Sequence, residues 1–280
     1  MIAKKILCVN IFVIIVIPVS NNDFSNPLNV FSFIKCLKKF SCYENHELLV
    51  VGRPSDFEYV NSVYKLIEDL FPVKRLYIFN ENGPSGWPEG PNFYWKKTIE
   101  FFKNKENTLP WFWMEMDCIP LKEKWADILE EEYYNKEKLC LGTVQNTYTI
   151  TKDMYRIIIA EHLQGTAIYP SRVDKICTIW QYVDQLSTAF DVITQWEIMP
   201  NTADTKLIQQ GFRTCKYKIQ HNPFIIRGED NGDLEGAVSY NNPLDPRAVI
   251  HHGCKDTSLA DIVTSPIYNY WLKEVCNAKS

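Results

Sequence analysis

The sequence predicts an α/β fold in one domain, with a mostly parallel sheet flanked by helices on both faces. Three observations carry that expectation. Residues 13–19, 48–51 and 111–116 are near-continuous apolar runs rich in β-branched or aromatic residues, as strands buried on both faces should be. Stretches with helical spacing lie between them, and turn residues punctuate the junctions. At 280 residues and 46% apolar, the chain has enough material for a real core, which excludes a disordered or fibrous protein.

The elements follow in order. The run at 13–19 stops at the turn Ser20-Asn-Asn-Asp23 and reads as the first strand. With Lys4 and Lys5 ahead of it, the N-terminus also looks like a secretion signal. However, Pro18 would occupy the position before a cut after Ser20 where a small residue is wanted. The run is also shorter than the roughly 20 apolar residues needed to cross a bilayer. Residues 27–40 carry Leu28, Phe31, Ile34 and Leu37 on one helical face, with Asn26 before Pro27 as a cap. A strand at 48–51 closes at Gly52-Arg-Pro54, a helix spans 57–71, and a third strand spans 75–80. The Gly/Pro loop 82–92 opens a helix to about residue 103, and 111–116 is the fourth strand. A helix at 122–134 and a strand-like stretch at 140–149 follow. Beyond them the pattern loosens: residues 165–170, helical spacing at 176–190 and a short segment at 196–199 look like a smaller acceptor-side half. Residues 224–246 read as loop, 249–255 as a closing segment, and 267–275 as a last helix. We expect one domain over 1–280, with halves at about 10–120 and 121–280.

Composition narrows the function. The net charge is −4, and the densest basic run, Lys96, Lys97, Lys103 and Lys105, suits a solvated helix face. A protein that lives on phosphate-backbone contacts is therefore not expected. The nine cysteines are scattered, with neither a Cys-x-x-Cys pair nor zinc-like spacing. They suit buried thiols in a reducing compartment, so the expectation is a cytoplasmic protein with no membrane attachment. Eight Trp, fifteen Tyr and fifteen Phe would suit pockets for sugars and bases as well as a core.

Two segments could do chemistry. In Trp111-Phe-Trp-Met-Glu115-Met-Asp117 a hydrophobic strand delivers two carboxylates, which alternation places on one side. Ligands of open α/β sheets bind at the carboxyl ends of strands. Hard oxygen ligands there suit Mn²⁺ or Mg²⁺ held jointly with a diphosphate, although solvated acids at a strand end would look the same. The second segment is His251-His252-Gly253-Cys254-Lys255. Its imidazole could complete a metal's coordination, its lysine could neutralise a leaving diphosphate, and Gly253 allows close backbone approach. A surface histidine pair is the plain alternative.

At these residues the sequence resembles GT-A glycosyltransferases. The acids before Cys118-Ile-Pro120 look like the D-x-D region, and His252-Gly-Cys-Lys255 is similar to the His…Gly…Lys motif of retaining members. Closer resemblance is to glycosyltransferases encoded by bacteriophages and large viruses. It runs through the Pro-Val-Ser-Asn-Asn-Asp strand end, Gly86-Trp-Pro-Glu-Gly-Pro-Asn92, Met114-Glu-Met-Asp-Cys-Ile-Pro120, Gly165-Thr-Ala-Ile-Tyr-Pro170, Ala189-Phe-Asp191 and His252-Gly-Cys-Lys-Asp256. Each motif is weak alone; their order from about residue 13 to 260 carries the resemblance. Glu115 departs from it, standing where the family has Asp.

The resemblance implies a GT-A-like (Rossmann-like) fold, a nucleotide-sugar donor, foremost a UDP-sugar, and transfer of a hexosyl or pentosyl group to an acceptor hydroxyl. It places Pro18, Ser20 and Asp23 beside base and ribose, and Asn92 facing the donor, where a helix cap would equally explain it. Asp117 and His252 would bind Mn²⁺ or Mg²⁺, with Glu115 at the donor and Lys255 on the diphosphate. Gly165 would let the sugar approach the backbone, and a plain turn would explain it as well. Asp191 would serve as the catalytic carboxylate, and His162 could join the acceptor site. The acceptor implied is a hydroxymethylated pyrimidine in phage DNA or, alternatively, a glycan or protein. Two readings from other classes remain: a nucleotidyltransferase, and a glycan-binding protein without activity. The first would normally show a Gly-rich basic loop after the first strand, and Ser20-Asn-Asn-Asp23 is neither.

Overall fold

The computed structural model describes residues 13–105, 107–152, 155–211, 215–221, 224–230, 241–253 and 255–276. Its centre is a seven-stranded sheet. The strands are β1 (Ile14–Pro18), β2 (Glu47–Gly52), β3 (Val73–Ile78), β4 (Trp111–Trp113), β6 (Cys140–Gln145), β9 (His162–Tyr169) and β10 (Thr202–Asp204). They lie in the order β10-β6-β9-β4-β1-β2-β3. β1 is parallel to both β2 and β4, β2 to β3 and β6 to β10; β9 alone runs antiparallel to its neighbours β4 and β6. The fold is thus the mixed α/β, mostly parallel arrangement that the sequence predicts.

The continuous apolar runs are explained by burial on both faces. Along β1, Ile15 and Ile17 join the core that holds α1 (Pro27–Lys39), α2 (Phe57–Ile67) and α4 (Trp125–Asn135). Ile14 and Val16 face the other way, into a core with Trp95, Phe101 and Phe102 of α3 (Glu89–Asn104). A strand between two such layers has no solvent face on which to alternate polar residues. Four cysteines, Cys36, Cys118, Cys140 and Cys177, are buried. No helix among the described residues is long and apolar enough to cross a membrane.

Two smaller features position the site. A three-stranded sheet joins β11 (Ile208–Gln210), β15 (Ile250–His252) and the two-residue β5 (Ile119–Pro120), in that order. A hairpin of β7 (Tyr148–Lys152) and β8 (Tyr155–Ile159) leads into β9.

Several sequence expectations need correction. Gly165 does not sit in a plain turn: residues 165–169 form the second half of β9. The predicted helix at 176–190 is instead a 3₁₀ turn at Ile179–Gln185 followed by the one-turn helix α5 (Phe190–Ile193) and then α6 (Gln195–Ile198). The 224–246 stretch is not all loop. It contains β13 (Phe224–Asp230), paired with β12 (Cys215–His221) and β14 (Asn241–Pro243); residues 231–240 lie outside the described residues. The chain closes with α7 (Ser258–Thr264) and α8 (Pro266–Trp271).

Candidate active site

The acidic segment works differently from the alternation argument. β4 ends at Trp113, so Glu115 and Asp117 lie beyond it in a turn closed by a Cys118 N–H bond to the Glu115 carbonyl, 3.0 Å. The turn, rather than the pleat, aims the two carboxylates. The next residues form β5, which pairs antiparallel with β15 so that Ile119 sits opposite His251. That short ladder carries His252 to the acids across 137 positions of sequence.

Pairing also separates the two histidines. His251 points inward, fully buried, with its Nε2 2.5 Å from the Tyr217 hydroxyl. Burial, with the charge of His252, drives its pKa down to about 3, so it is a neutral core residue. His252 faces the cleft, with Nε2 3.4 Å from both Asp117 Oδ1 and Glu115 Oε2. Its Nδ1–H donates to Gln210 Oε1 at 2.7 Å, across the β11–β15 ladder. This bond leaves Nε2 to face the acids, the arrangement that orients a metal-binding imidazole. Burial opposes charge on His252, but the Asp117 and Glu115 carboxylates outweigh it and push its pKa up to about 10.

Asp117 is the centre of the cluster and is buried. Lys255 Nζ forms an ion pair with its Oδ2. Burial works to raise the Asp117 pKa, yet the positive charges of His252 and Lys255 hold the carboxyl well below the usual carboxylate range. The Lys255 backbone is anchored by Asn29 Nδ2 of α1, which donates to its carbonyl at 2.9 Å. Between His252 and Lys255, Gly253 has φ +88°. A Cβ there would lie 2.9 Å from Gln210 Nε2 and 3.0 Å from the Gly211 carbonyl oxygen, so glycine is required on both counts. Cys254 lies outside the described residues.

The residues suit a divalent cation. Asp117, Cys118 and His252 each offer one ligand atom, and the three lie within 4.8 Å of one another. Asp117 Oδ1 is buried with no hydrogen-bond partner, although His252 stands near it, and a buried carboxylate oxygen in that state calls for a positive ligand. Glu115 borders the cluster, with Oε1 accepting from the Trp113 indole N–H at 3.3 Å.

Asp23 stands just past the end of β1, in the turn that follows it. It accepts from the Ser20 N–H at 2.8 Å and the Ser20 hydroxyl at 2.9 Å, while burial lifts its pKa to about 6. Pro18 closes β1 just ahead of this turn. Gly165 also lines the cleft. A Cβ on it would stand 3.0 Å from the Phe190 ring and 3.6 Å from Glu115 Oε1. Asp191, half-buried at the start of α5, has its carboxyl Oδ1 accepting from the Val192 N–H at 2.9 Å. Its pKa is raised by burial, against a lowering by His162. His162 is itself buried and has Nδ1 2.8 Å from the Ala160 carbonyl.

Asn92 is not brought into this cleft. It lies inside α3 rather than at its cap, fully buried. Its Nδ2 donates to the carbonyls of Val183 and Thr188, both at 2.8 Å, and its Oδ1 accepts from the Phe190 N–H at 2.6 Å. It therefore pins the segment that presents Asp191. Asn92→Ala should lower unfolding free energy by about 3 kcal/mol, because several buried backbone groups lose their partners at once. Chemical denaturation checks this, and a loss below about 0.5 kcal/mol, the size of an ordinary surface change, would refute the pinning role.

Sequence reasoning missed two further groups. Gln210 carries no motif and is identified by its pairing with His252 alone. The other is a buried network past β2, in which Arg53 Nε and the Tyr94 hydroxyl each lie 2.6 Å from Asp56 Oδ2. Arg53 Nη1 also donates to the Pro84 carbonyl at 2.7 Å, tying the Gly/Pro loop to the strand ends. The signal for it was the Arg-Pro-Ser-Asp string directly after the strand.

No protein-family model and no curated protein sequence matches the chain. Solved structures do. The chain is similar to the bifunctional glycosyltransferase WbbM in its apo form, with a TM-score of 0.50 and 8% identity over 95% of this chain and 51% of that one. It is more loosely similar to mouse xyloside xylosyltransferase 1 in its apo form, with a TM-score of 0.44 and 8% identity over 72% of this chain and 88% of that one. A third likeness is to residues 1–349 of TarS from S. aureus, with a TM-score of 0.41 and 15% identity over 70% of this chain and 58% of that one. At such identities the likeness establishes the fold alone. That fold is GT-A-like, with a Rossmann-like, mostly parallel sheet.

Proposed function

We propose that the chain is a divalent-metal-dependent glycosyltransferase that moves a sugar from a nucleoside diphosphate donor, foremost a UDP-sugar, to an acceptor hydroxyl. The observation that carries this reading is the buried Asp117 carboxylate shared by His252 and Lys255 in the turn after a parallel strand. Metal ligand, imidazole and diphosphate-binding lysine are the complementary parts of one leaving-group site.

Asp117 and His252 would hold the ion, Mn²⁺ or Mg²⁺, which when bound would neutralise charge on the diphosphate. Lys255 supplies a second positive charge for the same group. Asp23 and Ser20, with Pro18, would border the nucleoside, while Glu115 and Gly165 would border the sugar. In an inverting reaction the anomeric C–O bond to the diphosphate breaks as the acceptor oxygen bonds to that carbon. The hydroxyl proton then passes to Asp191, whose raised pKa makes it a better base than an exposed carboxylate. Retention would not require that base. Sugar stereochemistry in the product, read by NMR, decides between the two.

Binding is tested first by thermal shift with UDP-, GDP- and TDP-sugars, with and without Mn²⁺. Only a ligand that binds the folded state raises the apparent stability. The product class is then tested directly. A glycosyltransferase releases nucleoside diphosphate, a nucleotidyltransferase releases pyrophosphate, and a protein without activity releases neither. Lys255→Ala should weaken donor affinity by about tenfold to a hundredfold, less than for a fully buried pair because the lysine is partly exposed. For the acceptor, the resemblance points to a hydroxymethylated pyrimidine in DNA, although the net charge of −4 does not favour it, with a glycan as the alternative. A gel shift on hydroxymethylated against plain duplex supports the first, and transfer only to soluble glycans supports the second.

A further inference from the structure

Cys118 has no part in the mechanism above, yet it is the third member of the cluster. Its Sγ lies within 4.8 Å of the ligand atoms of Asp117 and His252. It is fully buried, and its hydroxyl partner, Thr166 Oγ1, is 3.6 Å away, a weak contact for a thiol. The same site contains a second sign of a cation site: Asp117 Oδ1 is buried and accepts no hydrogen bond, with His252 Nε2 3.4 Å away. Oxygen, sulfur and nitrogen donors are therefore brought within 4.8 Å of one another from two segments, the turn after β4 and the strand β15.

We propose that Cys118 is a ligand of the cation held by Asp117 and His252, so that the centre selects a thiophilic ion of the Zn²⁺ or Co²⁺ kind over Mg²⁺. Carboxylate, carbonyl and water ligands suit Mg²⁺ and Mn²⁺, whereas thiolate and imidazole favour later first-row ions. Mg²⁺ in particular keeps its waters and wants octahedral oxygen ligands, which a Cys/His pair does not supply. On binding, the Cys118 S–H bond breaks, its proton passes to solvent, and the sulfur electron pair forms the metal bond. The inference rests on the reading of this cluster as a cation site and deepens it by naming the kind of ion.

Co²⁺ serves as the probe, because a thiolate ligand gives it a sulfur-to-metal charge-transfer band in the near ultraviolet. The full chain titrated with Co²⁺ under reducing conditions should develop this band at one equivalent. Zn²⁺ should abolish it, and a large excess of Mg²⁺ should leave it standing. Cys118→Ser, which keeps the size and a polar contact to Thr166, should lose the band while still binding Co²⁺, at least about tenfold more weakly. Should that variant fail to fold, Asp117→Asn takes its place and must weaken Co²⁺ binding and the band together. Co²⁺ and Mn²⁺ binding by calorimetry with no charge-transfer band would overturn the role of Cys118 and leave the cation site standing. Binding of neither ion would overturn both.

Discussion

Asp117→Asn should reduce sugar transfer by at least about a thousandfold while the chain stays folded, since one group loses its part in both metal ligation and leaving-group stabilisation. The physical basis is the position of the carboxylate. It is buried, it has an oxygen without a hydrogen-bond partner, and His252 and Lys255 converge on it. Asparagine keeps the shape and removes the charge that balances both cations. His252→Ala should weaken metal binding and be partly rescued by excess metal, because Asp117 remains. If both residues serve one ion, the double variant should lose far less than the product of the two single losses. Turnover at saturating donor and metal affinity by calorimetry are the measurements. Unchanged turnover in Asp117→Asn, or strict additivity with His252→Ala untouched in metal affinity, would remove the shared site.

The second large effect concerns the first strand. A chain that begins at Asn21 lacks β1 and should be insoluble or unfolded. Val13, Ile14, Ile15, Val16, Ile17 and Val19 are each no more than 3% exposed, and β1 pairs with both β2 and β4. Burying each such side chain is worth about 1.5–3 kcal/mol. Six of them together rival the whole stability of a typical domain, about 5–15 kcal/mol. Loss of the strand also removes the pairing partner of both β2 and β4. Circular dichroism and size-exclusion chromatography report the outcome. A soluble, active chain starting at Asn21 would show that the apolar run is dispensable, as a secretion signal would be.

The two halves of the molecule were not equally legible. Where strand and helix alternate, each element is defined by a local period, so β1 to β4 and the helices between them were readable within a few residues. The second half breaks that rule. β9 runs antiparallel between two strands of the parallel sheet, and the glycine within it, Gly165, passes locally for a turn. A strand at the centre of a sheet is stabilised by its neighbours, and this is invisible in its own seven or eight residues.

What the sequence by itself determined about this protein is the α/β class and the chemistry on offer: a carboxylate pair beyond a strand, and a histidine, a glycine and a lysine close together far downstream. What only the tertiary structure decided is which of these groups meet. The two-residue strand β5 is too short for any periodicity to announce, yet its pairing with β15 joins Asp117 to His252. The same ladder turned His251 into the core and His252 into the cleft, a choice set by register and not by residue type. Asn92 went the other way, from a motif residue to a buried peg, because its amide found three backbone partners within 3 Å. Local patterns encode elements. Contacts between distant segments are settled by packing and pairing energies that no window of sequence contains.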